Sequence, residues 1–375
     1  MFDYKKIFTY LIATVFFAVA IFRIPVGGEL RALFEYSVRC GIVLLFAAYL
    51  IKEVNIWAGL FLIVGLISHS LPWFLLSNEN QLHTTRSYIA LDWLMFGLIL
   101  YTILVKTDFD IEAIYNMMCV VALIQVVWLV SQRLGYDPYR LVGFKGNLSV
   151  TGLMANPNET SAFIAICTPA FFRRKWLWYL PAVVAGIFVL GCLNGIFAVF
   201  SVGATFLFLH SDRKKSNAFM LSAVAGLTLI VYDFYSGGAS SIEQRLYIWK
   251  KSIVLTLKNQ PFLGFGLGNW VNVDQLIVAN KAYEGTTSWS RLHSSFIQGY
   301  VEMGVMFLAV LIGYGSDIFR RYRDQVLPIC ALAAIVVCCN TNSVFRINAI
   351  NGMFVILWLS ILEKSLRKEV GWKRF

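Results

Sequence analysis

Charge is scarce in this chain of 375 residues. Asp, Glu, Lys and Arg make up 14% of it, against 58% hydrophobic residues and a mean hydropathy of +0.68. Soluble domains carry about 25% charged residues, so a soluble fold is excluded and a polytopic membrane protein is indicated. Cysteine is missing where it would matter outside a membrane. All seven cysteines (40, 119, 167, 192, 330, 338, 339) fall in or beside apolar runs, and none lies in the long polar stretch 233–292. That excludes a disulfide-stapled outer domain and leaves no cysteine-based metal site in it. Histidines 69, 83 and 210 are scattered, with no H-x-x-H or H-E-x-x-H pairing, so no histidine metal site is expected. A dinucleotide fingerprint is absent too: G-x-G-x-x-G would need glycine where Asn269 stands. No small-x-small cleavage site follows the first apolar run, which is therefore read as a retained helix.

What the chain does have is apolar runs in series. Spans are expected near 7–22, 33–51, 55–76, 87–105, 112–130, 159–172, 176–192, 194–210, 217–232, 293–314, 326–345 and 349–363. Each approaches the ~20 residues that a helix needs to cross the hydrocarbon core. The fold class predicted is all-α, a polytopic membrane helix bundle of about twelve spans forming one integral domain over 1–375. Basic clusters decide its orientation. Lys5 and Lys6, Lys52, Lys106, Arg173 to Lys175, Arg213 to Lys215, Arg320 to Arg323 and the C-terminal tail all fall on one side if Asn194 lies in a tight turn between two spans. Positive loops face the cytoplasm, so both termini are expected there and the 233–292 loop outside. The net charge of +11 follows from these clusters and requires no nucleic-acid partner. Trp57, Trp73, Trp93, Trp128, Trp176, Trp178 and Trp358 read as interfacial anchors.

The 233–292 loop carries the chemistry. Residues 242–257 read as a cationic amphipathic helix of the kind that lies in the interfacial plane. Pro261 ends it, and Gly264, Gly266 and Gly268 make a pliant segment whose backbone can approach a neighbour closely. Arg291 and His293 then open the next span, inside which Gln298 and Glu302 share a face. A carboxylate there is costly unless partnered or wet. Arginines and a histidine at the mouth of a membrane bundle suit an anionic, lipid-linked substrate. The Asp108/Asp110 pair has the D-x-D spacing of metal-dependent sugar transfer, but beside Lys106 it is read as a helix cap, with Asp108 as the N-cap of the fifth span.

These motifs carry a resemblance. R-x-x-x-W at 245–249, P-x-x-G-x-G-x-G-N-W at 261–270, His293 opening a span and Q-x-x-x-E-x-G at 298–304 resemble the O-antigen ligase/polymerase family of bacterial membrane glycosyltransferases. G-x-x-x-N-P-N at 152–158 is similar to another element of that family. Two departures stand out. The family often has His-Asn where this chain has His293 and Ser294, and Ser-Arg-Gly where it has Leu193, Asn194 and Gly195. The second removes an outward cation, for which Arg140, Lys145 or Arg346 would have to compensate.

The resemblance implies sugar transfer from an undecaprenyl-diphosphate-linked glycan to a glycan or lipid A-core acceptor, with membrane lipids as surroundings and without metal or cofactor. It further implies an inverting-type transfer on the periplasmic face of a bacterial inner membrane. His293 and Arg245 are the expected catalytic residues, His293 either as general base or as a hydrogen-bonding partner of the diphosphate. Arg291, Arg140, Asn156, Asn158, Trp249 and Glu302 are the expected substrate-binding residues. Asn156 and Asn158 serve equally well as helix caps around Pro157, and Trp249 and Trp270 as interfacial anchors. Polymerisation of lipid-linked repeats is the expected reaction, with ligation to lipid A-core or transfer onto protein as alternatives. A transporter or flippase is the competing class, opposed by the lack of an internal repeat and by polarity gathered at one rim.

Overall fold

The computed structural model describes residues 4–21, 60–61, 63–67, 85–136, 150–154, 156–210, 239–270, 292–322, 326–341 and 349–369. Among these every element is helical. We label the helices α1 (Tyr4–Ile21), α2 (Thr85–Lys106), α3 (Ile111–Arg133), α4 (Pro157–Cys167), α5 (Leu180–Leu190), α6 (Leu193–His210), α7 (Ala239–Asn259), α8 (Ser295–Tyr322), α9 (Val326–Thr341) and α10 (Ala349–Glu369). Two 3-10 turns, Thr168–Phe172 and Leu177–Tyr179, join α4 to α5. The predicted spans 33–51 and 217–232 lie outside the described residues. By length and composition, Ile111–Arg133 and Ser295–Arg321 are long and apolar enough to cross a membrane.

The exposed side of α3 shows what surrounds the bundle. Ile114, Met118, Val121, Gln125 and Leu129 recur at helical spacing and are buried, while Val120, Val127 and Val130 on the other side are exposed. A helix facing water would carry polar residues there; valines suit lipid. In lipid no hydrophobic force draws helices together, so close packing and satisfied polar groups must do so. Trp358 illustrates both. It is fully buried, tilts against Tyr115 and donates its indole N–H to the Ile166 carbonyl at 2.8 Å. The interfacial role expected of Trp358 is therefore corrected: the nearest polar partner lies inside the bundle. Trp176 likewise donates to Asn116 at 2.8 Å, whereas Trp178 is 88% exposed.

Polar contacts sort the helix ends into two groups. At one end the Asp110 N–H donates to Thr9 Oγ1 at 2.8 Å, Arg173 pairs with Glu112, and Lys364 donates to the Thr107 carbonyl and lies over the Phe109 ring at 3.8 Å. Burial lowers the Arg173 guanidinium pKa, with Asp110 opposing the shift. The N-cap of α3 is Asp110, whose carboxylate accepts the Glu112 N–H at 2.9 Å, and not Asp108, which instead stands 3.9 Å from Lys364 Nζ. The helix starts one residue after Asp110, and capping geometry serves only that position.

At the other end lie the α3 C-terminus, the start of α4 and the α5–α6 turn. Gln132 Oε1 accepts the N–H groups of Thr151 and Gly152, and Asn194 bonds residues of α4. The α5–α6 connection is a true reversal: Gly191 is left-handed at φ 64°, and Phe188 and Phe200 meet at 6.4 Å. In one continuous helix twelve residues would separate them by about 18 Å. Ile318 of α8 packs with Leu362 of α10, so α8 ends near Lys364 and begins at the end opposite the basic cluster.

Candidate functional site

Helix α7 is amphipathic, but its inner face packs on protein. Ile248, Ser252 and Thr256 are buried, while Leu246, Lys250, Lys251, Val254, Leu257 and Lys258 face outward. Ile248 joins Phe265, Trp270, Leu292, Tyr300 and Val301 in one apolar cluster. Arg245 and Trp249, one turn apart, flank this inner face and are both half-buried. The Arg245 Nε is enclosed. Trp249 donates its indole N–H to the Leu292 carbonyl at 2.5 Å, so one α7 face presents Arg245 beside the clasp that holds residue 292. Trp270, read from the sequence as an interfacial anchor, is instead 0% exposed and belongs to the cluster.

His293 follows that clasp. Its φ of 54° is the only positive value at a non-glycine among the described residues, and such a conformation costs on the order of 1 kcal/mol. Its neighbours hold it there. Leu292 and Ser294 are buried, and Ser294 caps α8: its Oγ accepts the Ile297 N–H at 3.3 Å and its carbonyl the Gln298 N–H at 3.0 Å. Serine and asparagine are comparable caps, so a helix start at this position is served by either residue. The imidazole stays half-exposed between two buried residues.

A backbone splice underpins the site. Helix α8 breaks at Gly304 (φ 66°, ψ −162°), and the turn after α7 docks into the break. Phe265 and Gly266 donate to the carbonyls of Val301 and Glu302, each at 2.9 Å. In return, Val305 donates to the Pro261 carbonyl at 2.9 Å and Met306 to that of Phe262 at 3.3 Å. The groups freed by the break are thus satisfied by the loop, as irregular backbone in a membrane bundle requires. Contact is so close that a Cβ on Gly264 would lie 2.5 Å from the Glu302 backbone. Glu302, 2% exposed, accepts the Gly268 N–H and the Gln298 side-chain amide, each at 3.1 Å. These contacts make it a positioning residue for the glycine turn. The limb 305–322 alone is about 27 Å long, near the hydrocarbon thickness, so residues 295–303 need not be submerged.

The N-P-N element forms a second polar unit at the same end of the bundle. Asn156 caps α4, its Oδ1 accepting from Asn158 and Glu159, and Pro157 takes the first helical position. Asn158 keeps its side chain exposed while its carbonyl accepts from Ser161 and from Asn194 Nδ2. Asn194 Oδ1 accepts from Ser161 Oγ and the Gly195 N–H, both at 2.9 Å. In place of the arginine of the Ser-Arg-Gly pattern, this chain has an amide that ties the α5–α6 turn to the N-P-N element. Asn194 was not among the predicted site residues; an Asn-Gly pair in a turn was the signal that could have flagged it. Arg140, Lys145, Arg291 and Arg346 lie outside the described residues. Among the described residues no group of three His, Cys, Asp or Glu could hold a metal.

Residues 158–312 match the family model described as O-antigen ligase. The matched stretch opens at Asn158, takes in Asn194, Arg245, Trp249 and His293, and closes eight residues beyond the break at Gly304. No curated protein matches the chain. With its apolar helices and the motif-bearing turns assembled around Trp249 and Leu292, the chain carries an O-antigen ligase domain over residues 158–312, which supports membership of the O-antigen ligase/polymerase family.

Proposed function

We propose that this protein transfers an O-antigen-type oligosaccharide from undecaprenyl diphosphate to an acceptor hydroxyl, at the periplasmic end of the bundle. The carrying observation is the clasp. Trp249 bonds the residue before His293, and Arg245 lies one turn away on the same helix face. As the acceptor oxygen bonds to the anomeric carbon from the face opposite the leaving group, the sugar–phosphate bond breaks and its electron pair passes to the diphosphate. Arg245, with Arg291, stabilises that growing charge; guanidinium matches phosphate oxygens and stays ionised. His293 takes the acceptor proton or hydrogen-bonds the diphosphate. Substrate contacts fall to Arg140, Asn156, Asn158 and Trp249, with Glu302 holding the turn that leads toward Arg291.

The acceptor we propose is a second lipid-linked repeat, making a polymerase. Ligation to lipid A-core is the second reading, favoured by the description of the matching family. A deletion strain carrying wild type, His293→Ala or Arg245→Ala separates them by its surface glycan. A single repeat on the core marks lost polymerase; carrier-linked polymer with bare core marks lost ligase. Normal glycan from both variants at normal expression overturns the site assignment.

A further inference from the structure

Helix α7 has a second face that the site does not use. Leu246, Val254 and Leu257 are 55%, 40% and 56% exposed, and Phe262, just past its end, is 68% exposed. At about 100° per residue, Leu246, Lys250, Val254 and Leu257 fall within one quadrant of the helix, with Lys258 and Lys251 about 40° and 60° beyond it. Lys251 lies over the Tyr247 ring at 5.6 Å. The opposite side of α7 is packed on Trp270 and α8, so among the described residues this edge is the outward one.

What covers it follows from where it leads. The Phe262 carbonyl accepts the Met306 N–H, and Val305 and Met306 are 43% and 44% exposed. Ile312 at 66% and Phe319 at 54% extend the apolar exposure along the same limb of a helix fit to cross a membrane. The edge of α7 is thus continuous with a lipid-facing surface. A second copy of the chain would set lysines against lysines, whereas anionic headgroups complement them. Lysine stems reach along apolar surface to place the ammonium among phosphates.

We propose that the outward edge of α7 docks on the bilayer leaflet, with Leu246, Val254, Leu257 and Phe262 at the acyl boundary and Lys250, Lys251 and Lys258 on anionic phospholipid headgroups. Arg245, on the other side of the same helix, and His293, next to the residue that Trp249 clasps, are thereby held at phosphate height. The proposal stands independently of the glycosyl-transfer reading.

The test uses the full chain in nanodiscs, with Leu246→Cys, Leu257→Cys or Asn259→Cys labelled by bimane and wild-type labelling subtracted. Lipids carry a quencher near the headgroup, with no or about a third phosphatidylglycerol. Labels at 246 and 257 are expected to be quenched at least about twofold more than at exposed Asn259, which faces away from the edge. With the anionic lipid, combining Lys250→Glu, Lys251→Glu and Lys258→Glu is expected to cut quenching at 257 by at least about twofold. Quenching at 246 and 257 no greater than at 259 overturns the proposal. So does quenching indifferent to both phosphatidylglycerol and charge reversal, or cross-linking of two copies through residue 257.

Discussion

Replacing Gly304 by alanine tests the splice directly. Its φ of 66° with ψ of −162° lies in a region essentially reserved for glycine, where a side chain costs about 1–3 kcal/mol. A Cβ there would also lie 2.2 Å from the Phe262 carbonyl oxygen and 2.5 Å from the Leu263 nitrogen, both backbone atoms that cannot swing aside. Relief by about 1 Å of loop movement would break the Val305 and Met306 hydrogen bonds, each leaving backbone groups unmet in a lipid-facing segment at about 1–3 kcal/mol. Together these reach about 3–9 kcal/mol, comparable with a whole domain's stability of about 5–15 kcal/mol. The loop is expected to undock while the bundle persists. Hydrogen exchange in nanodiscs should show the amides of Phe265, Gly266, Val305 and Met306 exchanging on the order of a hundredfold faster than in wild type. Gly315→Ala is the control, because nothing lies within 4 Å of the Cβ it would add. Wild-type protection of those four amides in Gly304→Ala would refute the reasoning.

Trp249→Phe keeps the ring but removes the donor to Leu292, so the segment around His293 should loosen by about 1–3 kcal/mol, read as faster exchange at residues 292–294 and reduced surface glycan. Ser294→Ala should lower the thermal midpoint through loss of a cap of about 1 kcal/mol, while Ser294→Asn should leave it near wild type. His293→Gly should abolish glycan transfer yet leave stability within about 1 kcal/mol of wild type, since glycine relieves the left-handed strain. Cys192 lies in the α5–α6 turn, where burial pushes its thiol pKa up to about 11 against a lowering hydrogen bond with Ser161. Below that pH it stays protonated, so maleimide should react with it only slowly at neutral pH until the protein is unfolded.

The helices were legible because hydrophobic runs of membrane length leave few alternatives. Expected 87–105 and 112–130 appear as Thr85–Lys106 and Ile111–Arg133, and 242–257 appears as Ala239–Asn259. The tight turn near Asn194 was legible from charge alternation. Less legible was how tertiary contacts reassign residues. Trp358 looked like a belt residue because composition cannot say which side of a helix meets a neighbour. Asp108 and Asp110 are equivalent as sequence, and only the starting residue of α3 selects between them. The 293–314 run gave no sign of a break, since Gly304 is one glycine in an apolar stretch. Its conformation is forced by residues some forty positions earlier. His293 was singled out by type and place; its backbone strain and the Trp249 clasp came from the fold.

The docking of residues 261–266 into α8 fixes a register between two stretches that lie far apart along the chain. Each donor has one assigned carbonyl, and Gly264 and Gly304 sit where no side chain fits. Adding or deleting a single residue between Asn259 and Gly268 would bring a bulkier residue to one of those contacts and misalign the ladder. Changes of loop length are therefore expected to be tolerated only beyond Trp270, in the stretch that leads to Arg291. Length can then vary in that stretch, while the frame around Trp249, Leu292 and Gly304 keeps constant dimensions.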